Sequence, residues 1–249
     1  MKTPVALVTG AGSGLGAATA AALAAKGYVV VGVDRVTPAS PPADLEDLHW
    51  VAADVTDEAQ LHAAVHQAAA LGDLRVAVAC AGVAASGRTL GRSGPHPLEP
   101  FEQSVAVNLI GSFNTLRLSA AAMAENAPID GERGVIVLTS SVAAFDGQVG
   151  QIAYAASKAG VAGMTLPAAR DLGRVGIRVV AIAPGTFDTP MLAGLTPQAR
   201  EALAAQIPQP SRPGAPSEFA ALVVHVTENA MLNGEVIRLD GGLRMPYLP

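Results

Sequence analysis

The chain has 249 residues, half of them apolar, with 15% charged and only 4% aromatic. That balance describes a well-buried globular protein with an aliphatic, alanine-rich core, at a length that fits one α/β domain spanning 1–249. A formal charge of −5 argues against a broad nucleic-acid or anionic-membrane surface, and the single cysteine, Cys80, rules out an internal disulfide and fits a reducing compartment.

The opening residues, MKTPVALVTG, enter a strand pattern almost at once. No targeting leader is therefore expected, and the alanine-rich run 17–25 is too short to span a bilayer. A cytoplasmic protein without membrane contact is the expectation.

From there, apolar strand-like runs alternate with longer helical ones. PVALVTG (4–10) leads into TGAGSGLG (9–16), which opens a helical stretch at 14–26. Glycines at 10, 14 and 16 permit a tight turn and close backbone approach, and a helix N-terminus attracts phosphate. Alone, such a turn could be merely structural. Its position says more, because the next strand, YVVVGVD (28–34), ends on Asp34. An acid about twenty residues beyond the turn can accept hydrogen bonds from an adenosine ribose diol and would repel a 2′-phosphate. NAD(H) is expected over NADP(H), with neighbouring Arg35 the one group suited to the phosphorylated form.

LHWVAAD (48–54) closes on Asp54, which reads equally well as a cofactor-edge acid or as a turn or N-cap acid. Helix 57–71 follows. RVAVACAG (75–82) ends in the small residues Cys80, Ala81 and Gly82, whose backbone can lie against a cofactor; Cys80 reads as a packing residue. After helix 99–125 come the strand GVIVLTS (134–140), helix 151–173, the strand IRVVAIAP (177–184), helix 216–228 and a last strand at 235–242. Strands that are apolar throughout, separated by helices, predict a Rossmann-type, doubly wound parallel sheet of about seven strands with helices on both faces. Three stretches interrupt it: a proline-rich loop at 38–47, and long loops at 83–100 and 186–216. The latter two leave the carboxyl ends of strands, where open α/β sheets bind ligands, so they are candidate substrate loops.

Within the helix at 151–173, QIAYAASKAG places Tyr154 and Lys158 four residues apart on one face. The chain has only three tyrosines and three lysines. The pair is either an incidental half-exposed face or a phenol acidified by an ammonium. Ser141 lies thirteen residues earlier at a strand end, and Asn108 lies in VNLIGSFN.

TGAGSGLG, CAG, Asn108, Ser141 and YAASK stand in the order and spacing of the short-chain dehydrogenase/reductase family, which the whole chain resembles. Within it, 139–172, IAPGTFDTPML (182–192) and NGEVIRLDGGLRM (233–245) resemble the 3-hydroxyacyl-CoA dehydrogenase type 2 group, known also for hydroxysteroid oxidation. Ser140, in place of a small apolar residue, departs from that pattern, and Ala79 replaces the first Asn of the broader family's motif. The resemblance implies NAD-dependent interconversion of a secondary alcohol and a ketone, with an acyl-CoA as the small-molecule substrate, and a homotetramer. It implies Tyr154 as acid/base, Lys158 as its electrostatic partner, Ser141 as donor to the substrate oxygen, and Asn108 as anchor of a water leading to Lys158. Tyr154 and Ser141 are thus also the substrate contacts. Cofactor contacts implied are Gly10, Ser13, Gly14, Leu15, Gly16, Asp34, Asp54, Val55, Cys80, Ala81, Gly82, Tyr154, Lys158, Pro184, Phe187 and Thr189; loop packing is the competing role for Phe187 and Thr189. A steroid or other secondary alcohol is the rival substrate, and a cofactor-bound scaffold subunit the rival class.

No metal is expected. Glu58, His62 and His66 share a helix face, but solvated side chains are the commoner outcome. Arg88 and Arg92 are either CoA-phosphate contacts or surface charge. His96 has no evident partner, and Arg238 and Arg244 read as packing of the C-terminal segment or a subunit contact.

Overall fold

A computed structural model describes residues 2–37, 48–192 and 196–246. Seven parallel strands form one sheet: β1 (Pro4–Thr9), β2 (Val29–Asp34), β3 (His49–Ala52), β4 (Asp73–Ala79), β7 (Gly134–Thr139), β8 (Ile177–Pro184) and β9 (Val236–Leu239). Two further, two-residue strands, β5 (Leu90–Gly91) and β6 (Gly94–Pro95), pair antiparallel as a separate ribbon. The large sheet runs β3-β2-β1-β4-β7-β8-β9. Strand order therefore reverses between β1 and β4, opening a crevice at their carboxyl ends where such folds bind ligands.

Alternation along β1 shows why every strand is apolar throughout. Val5 and Leu7 face one core and Ala6 and Val8 the other, all fully buried. The first core is closed by α2 (Glu58–Leu71), α4 (Gly111–Ala124) and α6 (Ile152–Gly173), the second by α1 (Gly14–Ala25) and α8 (Pro216–Glu228). In α2, Leu61, Ala64, Val65 and Ala68 recur at helical spacing and are the buried face. In α6, Ala153, Ser157, Val161, Thr165 and Ala169 do the same, which fixes the rotation of the helix carrying Tyr154 and Lys158.

The helix expected at 99–125 is divided. It begins as α3 (Leu98–Ser104), widens into a π-helical segment at Val105–Ile110, and resumes as α4. Asn108 lies inside the wide segment, a kind of defect that gathers at functional sites. Glycines admit close packing here: a Cβ on Gly160 of α6 would stand 2.8 Å from Leu109, and one on Gly111 would stand 2.5 Å from Val55.

The loop expected at 83–100 contains the β5–β6 ribbon. That at 186–216 holds a 3₁₀ turn (Pro190–Leu192) and α7 (Pro197–Ala204). The proline-rich stretch 38–47 lies outside the described residues. Among those described, no helix is long and apolar enough to cross a membrane.

Candidate active site

A cleft of about 760 Å³ opens along the carboxyl ends of β1, β2, β4, β7 and β8. One half is built from the turn after β1. Gly10 has φ +69, and a Cβ there would stand 2.7 Å from the Ala81 nitrogen; a Cβ on Gly16 would meet the Gly10 carbonyl oxygen at 2.1 Å. Only bare backbone fits at either position. Ser13 precedes α1 without a side-chain cap, and no acid lies in the first turn, whereas α2 is capped by Asp57. The first N–H groups of α1 thus lack a side-chain acceptor and favour an anion. Gly14 packs against Thr189, and Leu15 lines the cleft beside them.

At the end of β2, the two carboxylate oxygens of Asp34 accept from Gly12 N at 2.9 Å and Arg35 N at 2.8 Å. Each oxygen keeps acceptor capacity directed to the cleft that Asp34 lines. Arg35 lines the same end. Asp54 acts as a turn acid: its Oδ1 accepts from Thr56 N at 2.9 Å and Thr56 Oγ1 at 2.7 Å. These bonds, the backbone one foremost, hold its carboxyl below the usual range. Asp54 also borders the cleft, as do Val55, Cys80, Ala81, Gly82 and Pro184. Cys80 keeps part of its surface open, but its thiol is enclosed, and burial pushes it up to about 11. Thr139 Oγ1 donates to that sulfur at 3.5 Å, consistent with a packing role. These features fit a dinucleotide: a backbone cradle, an uncapped helix start and a ribose-type carboxylate at one crevice.

The other half gathers the titratable residues. The Ser141 hydroxyl stands beside the Tyr154 phenol as a hydrogen-bonding neighbour. Ser141 Oγ also accepts from Ala143 N at 3.1 Å, which orients the hydroxyl at the start of α5 (Ala143–Asp146). Lys158 Nζ donates to Thr139 O at 2.8 Å and lies 5.8 Å from the centroid of the Tyr154 ring. Ser140 turns elsewhere, donating to the Lys158 carbonyl at 2.9 Å and tying α6 to the end of β7. Burial pushes the Tyr154 phenol up, offset in part by the Ser141 hydrogen bond. Burial likewise pushes the Lys158 ammonium down from 10.5 to about 8. In the protein without coenzyme, desolvation thus disfavours both charged forms.

Asn108 stands behind the cleft, fully buried. Its amide nitrogen donates to Val83 O at 2.9 Å and Ser157 Oγ at 3.0 Å, and its Oδ1 accepts from Val83 N at 2.8 Å. Its main-chain carbonyl accepts Ser112 Oγ at 2.6 Å. Phe187 borders the cleft, yet its ring is buried edge-on against Phe219, with centroids 6.4 Å apart, so loop packing is its main contact.

Several cleft residues carried no sequence signal. Gln148, Gln151, Met191, Leu192, Leu203 and Met245 also line the cleft. Ser157 was legible only as a neighbour of Lys158. Arg88 borders a separate depression of about 420 Å³ that also touches Gln148 and Gln151, whereas Arg92 is exposed at the ribbon's tip. His96 Nδ1 stands 2.6 Å from the Pro97 carbonyl. His62 and His66 are exposed, and Glu58 pairs with Arg117 at 3.0 Å.

The family model for short chain dehydrogenase matches residues 4–200. The chain is 50% identical over 257 residues to the 3-hydroxyacyl-CoA dehydrogenase type-2 of Bos taurus, covering 98% of this chain and 97% of that one. It is 50% identical over 254 residues to the Drosophila melanogaster protein of the same name, covering 98% and 99%. The crystal structure of 3-hydroxyacyl-CoA dehydrogenase type-2 from Mycobacterium avium superposes with a TM-score of 0.89 at 41% identity, covering 98% and 96%.

Proposed function

The chain belongs to the short-chain dehydrogenase/reductase family and is an oxidoreductase, and from that premise we propose that it interconverts 3-hydroxyacyl-CoA and 3-oxoacyl-CoA with NAD. The observation that carries the reading is the convergence of Ser141, Tyr154 and Lys158 in the same cleft as the Asp34 carboxylate and the Gly-rich turn. Relatives named for the 3-hydroxyacyl-CoA reaction cover nearly the whole chain, which supports the acyl-CoA class over a steroid or another secondary alcohol. Those names also disfavour the scaffold reading.

Gly10, Ser13, Gly14, Leu15 and Gly16 would hold the pyrophosphate half of the dinucleotide, with Asp34 on the ribose diol and Val55, Cys80, Ala81, Gly82, Pro184 and Thr189 along the rest. Bound NAD supplies the hydride acceptor and a positive ring beside the phenol. Ser141 Oγ donates to the substrate oxygen and holds it next to Tyr154. Tyr154 takes the hydroxyl proton during oxidation and returns one during reduction. A cation a few ångströms away lowers an acid's pKa by roughly 1–3 units, so Lys158 and the coenzyme charge together oppose the burial that raises the phenol. Asn108 fixes Ser157 and the loop after β4 behind Lys158 and anchors a water that carries the proton outward.

The exposed Ile110, Phe113 and Leu166 on neighbouring helices support burial between subunits, in keeping with a homotetramer. The lone cysteine supports a reducing, cytoplasmic setting. The reading is tested by following NADH absorbance and fluorescence with acetoacetyl-CoA, a short 3-hydroxyacyl-CoA and a steroid panel. Turnover of the CoA esters well above the steroids is expected; steroid-only turnover would overturn the substrate assignment.

A further inference from the structure

Met245 reaches the cleft through a polar clasp between the C-terminal segment and α5. Asp146, the last residue of α5, accepts from Arg238 Nη2 at 2.6 Å. The same guanidinium donates to Asp240 Oδ2 at 2.8 Å and to the Leu243 carbonyl at 3.0 Å, and lies 5.5 Å from the Phe145 ring centroid. Asp240 also accepts from Arg244 at 3.1 Å and from Gly242 N at 3.0 Å, which shapes the turn after β9. Leu243 is buried beneath it. Met245 follows Arg244 in this turn, and its backbone N–H helps hold the Asp146 carboxyl below the usual range, after the larger effect of Arg238. Met245 then forms part of the cleft wall together with Leu203 and Met191.

The clasp joins two parts of the site. Asp146 terminates the short helix that begins just after Ser141, so the element orienting the Ser141 hydroxyl is the one that holds the C-terminal segment. The side chains of Asp146 and Arg238 remain 21% and 22% exposed. Partly exposed ion pairs contribute little net stability, so the effect of this network lies in geometry.

We propose that Asp146 and Arg238 are positioning residues that set Met245 as a specificity-determining wall of the substrate cleft. This rests on the cleft's binding the reacting alcohol, as in the function proposed above. It makes acyl-chain preference depend on residues that touch neither the reacting atoms nor the coenzyme.

Two measurements on the full-length protein test it. Hydrogen–deuterium exchange needs no substrate: Asp146→Ala and Arg238→Met should speed exchange across 241–246, and Arg238→Lys should restore part of the protection. Steady-state kinetics over a series of 3-hydroxyacyl-CoA lengths should show KM rising about tenfold in Asp146→Ala while kcat stays within about twofold, the signature of lost uniform binding. Met245→Ala, which leaves the clasp intact and should fold if Asp146→Ala does not, should shift preference toward bulkier chains. Unchanged exchange in Asp146→Ala overturns the clasp whatever the substrate proves to be. Unchanged chain preference in Met245→Ala overturns the specificity role. Absence of any acyl-CoA turnover by the unmodified enzyme counts against the proposed substrate alone, and the preference is then measured on the alcohol it does oxidise.

Discussion

Lys158 Nζ is tethered to the carbonyl oxygen of Thr139 at 2.8 Å, so the end of β7 fixes the ammonium beside the Tyr154 ring. One neutral acceptor does not compensate a buried charge, and the ammonium falls to about 8. Between about 8 and 10.5 the unfolded chain holds this proton and the folded chain has lost it. The group's destabilising effect is therefore full below about pH 8 and is relieved as pH rises toward 10.5. The stability of the unliganded protein relative to Lys158→Met should rise across that window, by at most about 1.4 kcal/mol per pH unit. Urea unfolding of both proteins from pH 7 to 10 measures it; parallel profiles would contradict a charged, desolvated Lys158.

Asp34 both holds Gly12 N and faces the cleft. Replacing it with Ala removes a charge-assisted acceptor, an interaction of about 1.5–3 kcal/mol, so NAD affinity should fall roughly 10- to 100-fold. Discrimination against NADP should shrink further, because the repulsion of a 2′-phosphate is lost. Titration calorimetry with both nucleotides checks this, and an unchanged NAD/NADP ratio would remove Asp34 from the ribose.

Gly16 has no room for a side chain: a Cβ would stand 2.1 Å from the Gly10 carbonyl oxygen. Gly16→Ala should displace the turn, lowering stability by about 1–3 kcal/mol and weakening nucleotide binding. Thermal melts with and without NAD read both effects. A variant with unaltered melting and binding would show that the turn is not the cradle described.

The Cys80 thiol, raised to about 11, holds little thiolate at neutral pH. Alkylation of the folded protein at pH 7 should be about two to three orders of magnitude slower than that of an ordinary cysteine. Mass spectrometry after iodoacetamide treatment measures it, and rapid labelling would place the thiol in the open cleft.

Features set by local pattern were legible in the sequence. The seven sheet strands follow from apolar runs, the phosphate turn from its glycines, and the Tyr154–Lys158 face from their spacing. What escaped depends on contacts distant in the chain. The π-helical widening at Asn108 accompanies hydrogen bonds to Val83 and Ser157, which no periodicity encodes. The bond between Arg238 and Asp146 spans 92 residues, so Arg238 reads from sequence as terminal packing or a subunit contact while Asp146 draws no notice. Spacing reports that Lys158 neighbours Tyr154 and not the burial that raises the phenol and lowers the ammonium.

In the proposed function one buried phenol, Tyr154, moves the substrate proton. Its most direct test compares Tyr154→Phe with the unmodified enzyme, measuring both single-turnover NADH formation and NAD affinity. Loss of an acid/base group costs about 10²- to 10⁴-fold in rate. A loss of that size is expected, with NAD affinity essentially unchanged. Near-normal turnover in the phenylalanine variant would contradict it.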